Sequence, residues 1–357
     1  MLRIIELLLF ALVAIVSGFF NAVLQGQAMS PVERVLAKWH RLEAEKVTLL
    51  PLTPVPRPPT IREELHGLRP FLYGGPLMAI VRGNLIYVVD DVKKKLLECS
   101  MNGKVLRELG FPKNAPKYLS GVLNLCGNWL WVGFEGPYAF AVDLNSWQIV
   151  EERKWKGKGI VSGLFAMPDK TLYVIMPGKR TKRGKVVWKV MKISPEGDQH
   201  EQVVEGWIPS YVTSDETIYW VSDEPIDASK TVKLGYSKFG TYVKIFAEIH
   251  AEDFGATYIN PFSRSILGCI NSSILCAFEL TIKISEQGDY VSPVALIIIS
   301  KSKNGQVKLL GLQPLVAMPV RSVNLPELVI CEGQVYFIAR EDINEYSRFW
   351  LMRLKFQ

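Results

Sequence analysis

The sequence predicts an all-β fold, a six-bladed β-propeller of four-stranded antiparallel blades. An apolar strand, a short polar turn and a second β-rich strand recur at Leu77 to Val89, Val122 to Gly133, Gly163 to Ile175, Ser210 to Ser222, Ser265 to Phe278 and Leu328 to Ala339. A third strand follows each pair, and in the first five units a turn then leads into a fourth. Repeats of this length belong to solenoids and propellers, and radial packing covers both faces of each four-stranded sheet while leaving only short edges.

The chain has 357 residues, of which 48% are hydrophobic, and a net charge of +7. That length allows one large all-β domain. Met1 to Arg3 give a positive start, Leu7 to Phe20 is apolar apart from Ser17 and Gly18, and Gly26-Gln27-Ala28 offers the small residues a signal peptidase cuts after. Residues 1–28 are therefore read as an export signal, with an uncleaved membrane anchor as the alternative because the apolar run extends through Leu24. Ser30-Pro31-Val32-Glu33 resembles a capping box, and Val32, Val35, Leu36, Trp39 and Leu42 recur at helical steps, which predicts an amphipathic helix over 29–50. Pro51, Pro54, Pro56, Pro58 and Pro59 make 51–59 a stiff linker, and the propeller occupies 60–357.

Within the repeats, the first hairpins turn at Arg82-Gly83-Asn84, Gly127-Asn128, Pro168-Asp169-Lys170, Ser214-Asp215-Glu216, Asn271-Ser272-Ser273 and Glu332-Gly333-Gln334. Asn102-Gly103, Asn145-Ser146, Glu196-Gly197, Phe239-Gly240 and Asn304-Gly305 mark the turns between third and fourth strands, because these residues tolerate positive φ. The last unit reaches Gln357 after its third strand, so Thr60 to Tyr73 is expected to supply its outer strand and close the ring.

The chain resembles secreted six-bladed propellers of the NHL-repeat or TolB-like superfamily, on the strand-turn-strand pattern and on Asn102-Gly103-Lys104-Val105 and Asn304-Gly305-Gln306-Val307. The resemblance implies an exported propeller. The Asn-His-Leu triplet is absent, and no functional residue is carried over from the family.

Five cysteines are too few and too dispersed for a disulfide scaffold. A Cys269–Cys276 bridge is the alternative to reading both as small buried hydrophobes. The four histidines are scattered, which removes the usual zinc patterns, and no nucleophile elbow, phosphate loop or dinucleotide glycine pattern occurs.

Chemistry is expected where second strands end and blades are linked, since loops on a rigid scaffold carry function. These exits hold Asp90, Asp91, Glu135, Asp223, Glu224, Glu341 and Asp342. Asp90, Asp223 and Asp342 could supply the hard oxygen ligands that calcium needs; no other cofactor is evident. The third unit departs with Lys179, Arg180, Lys182 and Arg183, in a stretch from Arg153 to Lys192 that has twelve basic residues against Asp169 alone. Such a loop suits an anionic surface. Nucleic acid is disfavoured in an exported chain without base-stacking aromatics beside the loop. Trp155 and Trp207 lie in inter-blade links and are candidate ligand platforms. The leading expectation is an exported, monomeric binding module that holds a protein or glycan partner on its loop face. The alternative is a metal-assisted hydrolase or lyase with carboxylates at the channel mouth.

Overall fold

The computed structural model describes residues 40–56, 78–116, 119–134, 136–157, 161–180, 186–223, 230–260, 266–270, 273–283, 290–291, 294–300, 307–312, 328–343 and 346–355. The expected export signal and the proposed closing segment Thr60 to Tyr73 fall outside them. Two N-terminal strands, β1 (His40–Leu49) and β2 (Val55–Pro56), precede the repeats. The first repeat is β3 (Ala79–Arg82), β4 (Leu85–Asp90), β5 (Lys95–Ser100) and β6 (Val105–Gly110). The second is β7 (Leu119–Cys126), β8 (Trp129–Phe134), β9 (Tyr138–Asp143) and β10 (Gln148–Lys154). The third is β11 (Gly163–Ala166), β12 (Leu172–Arg180), β13 (Val186–Ile193) and β14 (Gln199–Glu205). The fourth is β15 (Trp207–Val212), β16 (Thr217–Ser222), β17 (Thr231–Lys238) and β18 (Lys244–His250), followed by a 3-10 turn at Ala251–Phe254. Each of these four is a separate antiparallel sheet in chain order.

The remaining strands share one sheet. They are β19 (Tyr258–Asn260), β20 (Ile266–Ile270), β21 (Ser273–Lys283), β22 (Tyr290–Val291), β23 (Val294–Ser300), β24 (Val307–Leu312), β25 (Val329–Cys331), β26 (Gln334–Ile343) and β27 (Tyr346–Lys355). With β1 and β2 they form eleven strands in a single sheet. The expectation of six separate blades is thus corrected to five sheets. The cause is β1, whose start pairs in parallel with β24, His40 opposite Leu310, and whose remainder pairs antiparallel with β27, Glu43 opposite Lys355. It zips two antiparallel runs into one. First strands touch in the order β3, β7, β11, β15, β20, β25 and back to β3, which closes the propeller ring.

Two sequence expectations about the N-terminus change here. Residues 40–49 are strand, where a helix was expected over 29–50, and β1 occupies the place beside β27 that had been given to Thr60 to Tyr73. The helical stripe ends at Leu42. Beyond it come β-branched Val47 and Thr48, and the edge of β27 offers a backbone ladder that overrides modest helix propensity. Opposite charges fix the register: Glu45 lies 3.1 Å from Lys355 and bonds Arg353, while Lys46 lies 3.3 Å from Glu341 and 4.3 Å from the Trp350 ring centroid. The described part of the expected proline linker, residues 51–56, also belongs to the packed structure, since Val55 is buried in the core and β2 pairs with β27.

Burial follows blade position. Second strands such as Leu85–Asp90 and Trp129–Phe134 are covered on both faces and read as nearly continuous apolar runs. Outer strands such as Val105–Gly110 alternate towards solvent. Core clusters lie between neighbouring units: one joins Val122 and Trp131 to Leu164 and Val174, another joins Val232 and Ile249 to Ile274 and Phe278. Gly83 and Gly127 begin two-residue hairpin turns at φ 55° and 58°, where a side chain would be strained. Cys276 is buried opposite Ile266 and Cys269 lies opposite Ile274, so the two are not cross-strand neighbours.

Candidate functional site

In a four-stranded meander, turns between first and second strands and between third and fourth strands emerge at one end. Connections between second and third strands, and links between blades, emerge at the other. The second end is the link face, and most of the candidate residues belong to it.

Asp90 ends β4 and is 2% exposed. Its Oδ2 accepts from the Thr53 amide at 3.0 Å and the Thr53 hydroxyl at 2.7 Å; its Oδ1 accepts from the amides of Val92 at 3.1 Å and Lys93 at 3.0 Å. One carboxylate thus closes its own turn, as aspartate commonly does two or three residues ahead, and fastens the N-terminal segment to the first sheet. Asp91 pairs with Lys94 at 2.5 Å. Glu341 accepts from the Trp350 indole at 2.6 Å and from Lys46; these bonds, the indole first, hold its carboxyl below the ordinary range. Asp90 and Asp91 lie at the end of β4, as expected, whereas Glu341 lies inside β26, opposite Arg348. Asp90 and Glu341 bind the N-terminal strands to the ring, while Asp91 braces its own turn.

Trp155 is 5% exposed and packs with Trp131, Leu164 and Met176 between the second and third sheets, so it is core and not a ligand platform. Trp207 opens β15 half-buried, opposite Ser222, and a Cβ on Gly235 would lie 3.2 Å from its ring. Asp223 follows β16, and its amide donates to the Gly206 carbonyl at 2.9 Å. Asp342 is opposite Ser347 in the β26–β27 register. Glu135, Lys182, Arg183 and Glu224 lie outside the described residues, and Lys179 and Arg180 end β12 with Arg180 opposite Val186. Among the described residues no three His, Cys, Asp or Glu side chains are grouped to hold a metal ion.

Two units raise their second and third strands beyond their first. β12 pairs with β11 only through Leu172 to Ile175 and then continues with β13 to Arg180. β26 pairs with β25 through Gln334 to Tyr336 and continues with β27 to Ile343. In the fifth unit β21 also runs past β20, but β19 flanks it as far as Thr281 before Ile282 and Lys283 pair with β22. The arm formed by β12 and β13 is basic in sequence and the arm of β26 and β27 begins its tip with Glu341 and Asp342. Near the axis, Phe165 and Tyr211 meet edge to face at 5.5 Å, and a Cβ on Gly268 would lie 3.1 Å from Ile330 and 3.5 Å from Tyr211. Apolar side chains from three first strands and the Gly268 backbone of a fourth therefore come together there.

Blade-to-blade latches went unseen in the sequence. Arg107 of β6 binds the 3% exposed Glu98 through two bonds, donates to the Leu144 carbonyl of the next unit at 2.9 Å and covers the Trp147 ring at 4.6 Å. Arg153 of β10 reaches the Ser194 carbonyl at 3.1 Å, and Gln202 of β14 binds Gly240 and Thr241. These three outer strands thus hold the next unit's turn between third and fourth strands. On the inner strands, Asn124 accepts from the Ala166 amide at 2.9 Å, Ser210 from Ile266 at 2.8 Å and Cys331 from Val81 at 3.3 Å.

No protein-family model and no curated protein matches the chain. Among solved structures, it is similar to the Cps50 (Swd1) β-propeller domain of Myceliophthora thermophila, at 11% identity over 78% of this chain and 98% of that one, with a TM-score of 0.40. It is also similar to a Bacteroides fragilis protein inferred to be exported, at 10% identity over 87% and 99% with a TM-score of 0.43, and to the Pan2 WD40 domain of Neurospora crassa, at 8% identity over 79% and 76% with a TM-score of 0.41. At these values no activity or partner passes from them to this chain.

Proposed function

We propose that the protein is an exported binding module that holds a macromolecular partner, most simply an acidic polypeptide, on its link face. The observation that supports this reading is the overrun of β12 and β13 past β11, which carries the chain on to Lys179 and Arg180, where a basic stretch of the sequence begins. The N-terminal apolar run supports export. The four hydrogen bonds that Asp90 accepts favour a binding module over the metal-assisted alternative. Glycan and anionic lipid are the competing partners of a basic arm.

Polyglutamate, heparin and anionic phosphatidylserine vesicles are compared as probes for the intact chain and for a variant with Lys179, Arg180, Lys182 and Arg183 all changed to Glu. Polyglutamate binding should fall at least about tenfold, roughly 1.4 kcal/mol, and should weaken with salt. Equal binding by the two chains would refute the reading. Preference for heparin or vesicles over polyglutamate would refute the choice of an acidic polypeptide.

A further inference from the structure

The outer edges of the sheets are not treated alike. An outer strand presents unpaired N–H and C=O groups, and native proteins blunt such edges with bulges, covers or charge. β6 is bulged at Leu106, β10 at Val150, β18 at Phe246 and β1 at Val47, each marked by a shift in its register. β24 is covered by β1 over Leu310 to Leu312. β14 differs in having charge alone: it pairs with β13 without interruption from Val187 opposite Glu205 to Ile193 opposite Gln199, and among the described residues no strand covers it.

The hydrogen-bond parity of that edge can be worked out. The Ser194 amide donates to the Asp198 carbonyl at 2.9 Å, so these residues form the hydrogen-bonded pair that closes the hairpin. Antiparallel pairs alternate between hydrogen-bonded and non-hydrogen-bonded. Gln199, Glu201, Val203 and Glu205 are therefore in non-hydrogen-bonded pairs, and their backbone groups face away from β13 towards the open edge. Their side chains share one face, where Val203 is 51% exposed and Glu201 lies 2.9 Å from Lys189. No described cation pairs Glu205.

We propose that β14 is a docking edge for an extended peptide strand from a partner protein, added antiparallel, with basic, apolar and basic side chains at alternate positions. Residues directly across from Glu201, Val203 and Glu205 would each exchange two backbone hydrogen bonds with β14 and would lie on its exposed face. Lysine or arginine would face the two glutamates and an aliphatic residue would cover Val203, the kind of cross-strand pairing that stabilises sheets. Backbone bonds would give affinity and the alternating side chains selectivity. This surface is independent of the link face, and the two proposals stand or fall separately.

The probe is a blocked peptide the length of β14 with Lys, Val and Lys at alternate positions and Thr between them. It should bind the full chain with a Kd on the order of 0.1 mM, as a short extended ligand does. A version with Glu in place of Lys, and one N-methylated on the edge-facing amides, should each bind at least about tenfold more weakly. Val203→Pro removes an edge-facing N–H without touching the ladder to β13, so it should keep the melting temperature and lose the peptide. Glu205→Lys should abolish most of the preference for the Lys over the Glu peptide. The proposal is overturned if the Lys peptide shows no saturable binding, if the N-methylated peptide binds equally, or if Glu205→Lys leaves the preference unchanged. Unaltered binding to folded Val203→Pro would likewise overturn it.

Discussion

Replacing Asp90 by alanine would remove four hydrogen bonds at once, because its two oxygens serve the Thr53 amide and hydroxyl and the amides of Val92 and Lys93. Bonds to a charged acceptor contribute about 1.5–3 kcal/mol each, but freed donors recover part of this from water. The site is 2% exposed, so recovery is incomplete and the net loss should be about 3–5 kcal/mol. Asp90→Asn keeps an oxygen for Val92 and Lys93 and lets the Thr53 hydroxyl turn to accept, but sets its NH2 against the Thr53 amide, for a loss of roughly 1–3 kcal/mol. Urea unfolding measures both. Hydrogen exchange should also show faster opening of residues 50–56 in the variants, since Thr53 is their tie to the first sheet. A loss below about 1 kcal/mol for Asp90→Ala, with residues 50–56 still protected, would refute this reasoning. A melting temperature of the native chain that rises with calcium, and an Asp90→Asn chain that does not respond, would show instead that the carboxylate is a cation ligand.

Deleting residues 40–50 from a chain that otherwise begins at residue 40 should cost about 5 kcal/mol, from the lost β27 ladder and the buried Leu50. Calorimetry would register a fall of roughly 10–20 °C. Arg153→Ala should destabilise by about 2–4 kcal/mol in urea unfolding, because Glu151 and the Ser194 carbonyl lose a 7% exposed partner; Arg153→Lys should restore only part of it. Maleimide at pH 8 should label half-buried Cys126 before Cys99 and Cys331, whose thiols burial pushes up to about 11, as peptide mapping would show. Labelling of Cys99 or Cys331 at the Cys126 rate in folded protein would contradict their packing.

What the sequence made legible was local. The described turns of the first hairpins lie where glycine or a short polar residue had to reverse the chain, as at Gly83-Asn84 and Gly127-Asn128. β1 was misread because its residues carry a helical stripe up to Leu42, while the partner that makes them a strand, β27, lies some three hundred residues away. The count of separate blades failed for the same reason, since only β1 joins the last two units into one sheet. At the candidate site, Asp90 ends a strand as expected, where it was a candidate ligand-binding residue with calcium as one option. The signal for its structural role was present in an aspartate opening the turn Asp91-Val92-Lys93. The partner at Thr53 was not, nor were the Arg107 and Arg153 latches, because these depend on which segments the closed ring brings together.

Hydrogen exchange of the intact chain with and without polyglutamate tests the central claim of a ring closed by β1 that binds through its link face. Residues 40–49 and 346–355 should be protected together in both states, with added protection confined to the β12–β13 arm and the other link-face connections. Unprotected residues 40–49, or ligand protection centred on the opposite turns at 82–84, 127–128 and 332–333, would contradict it.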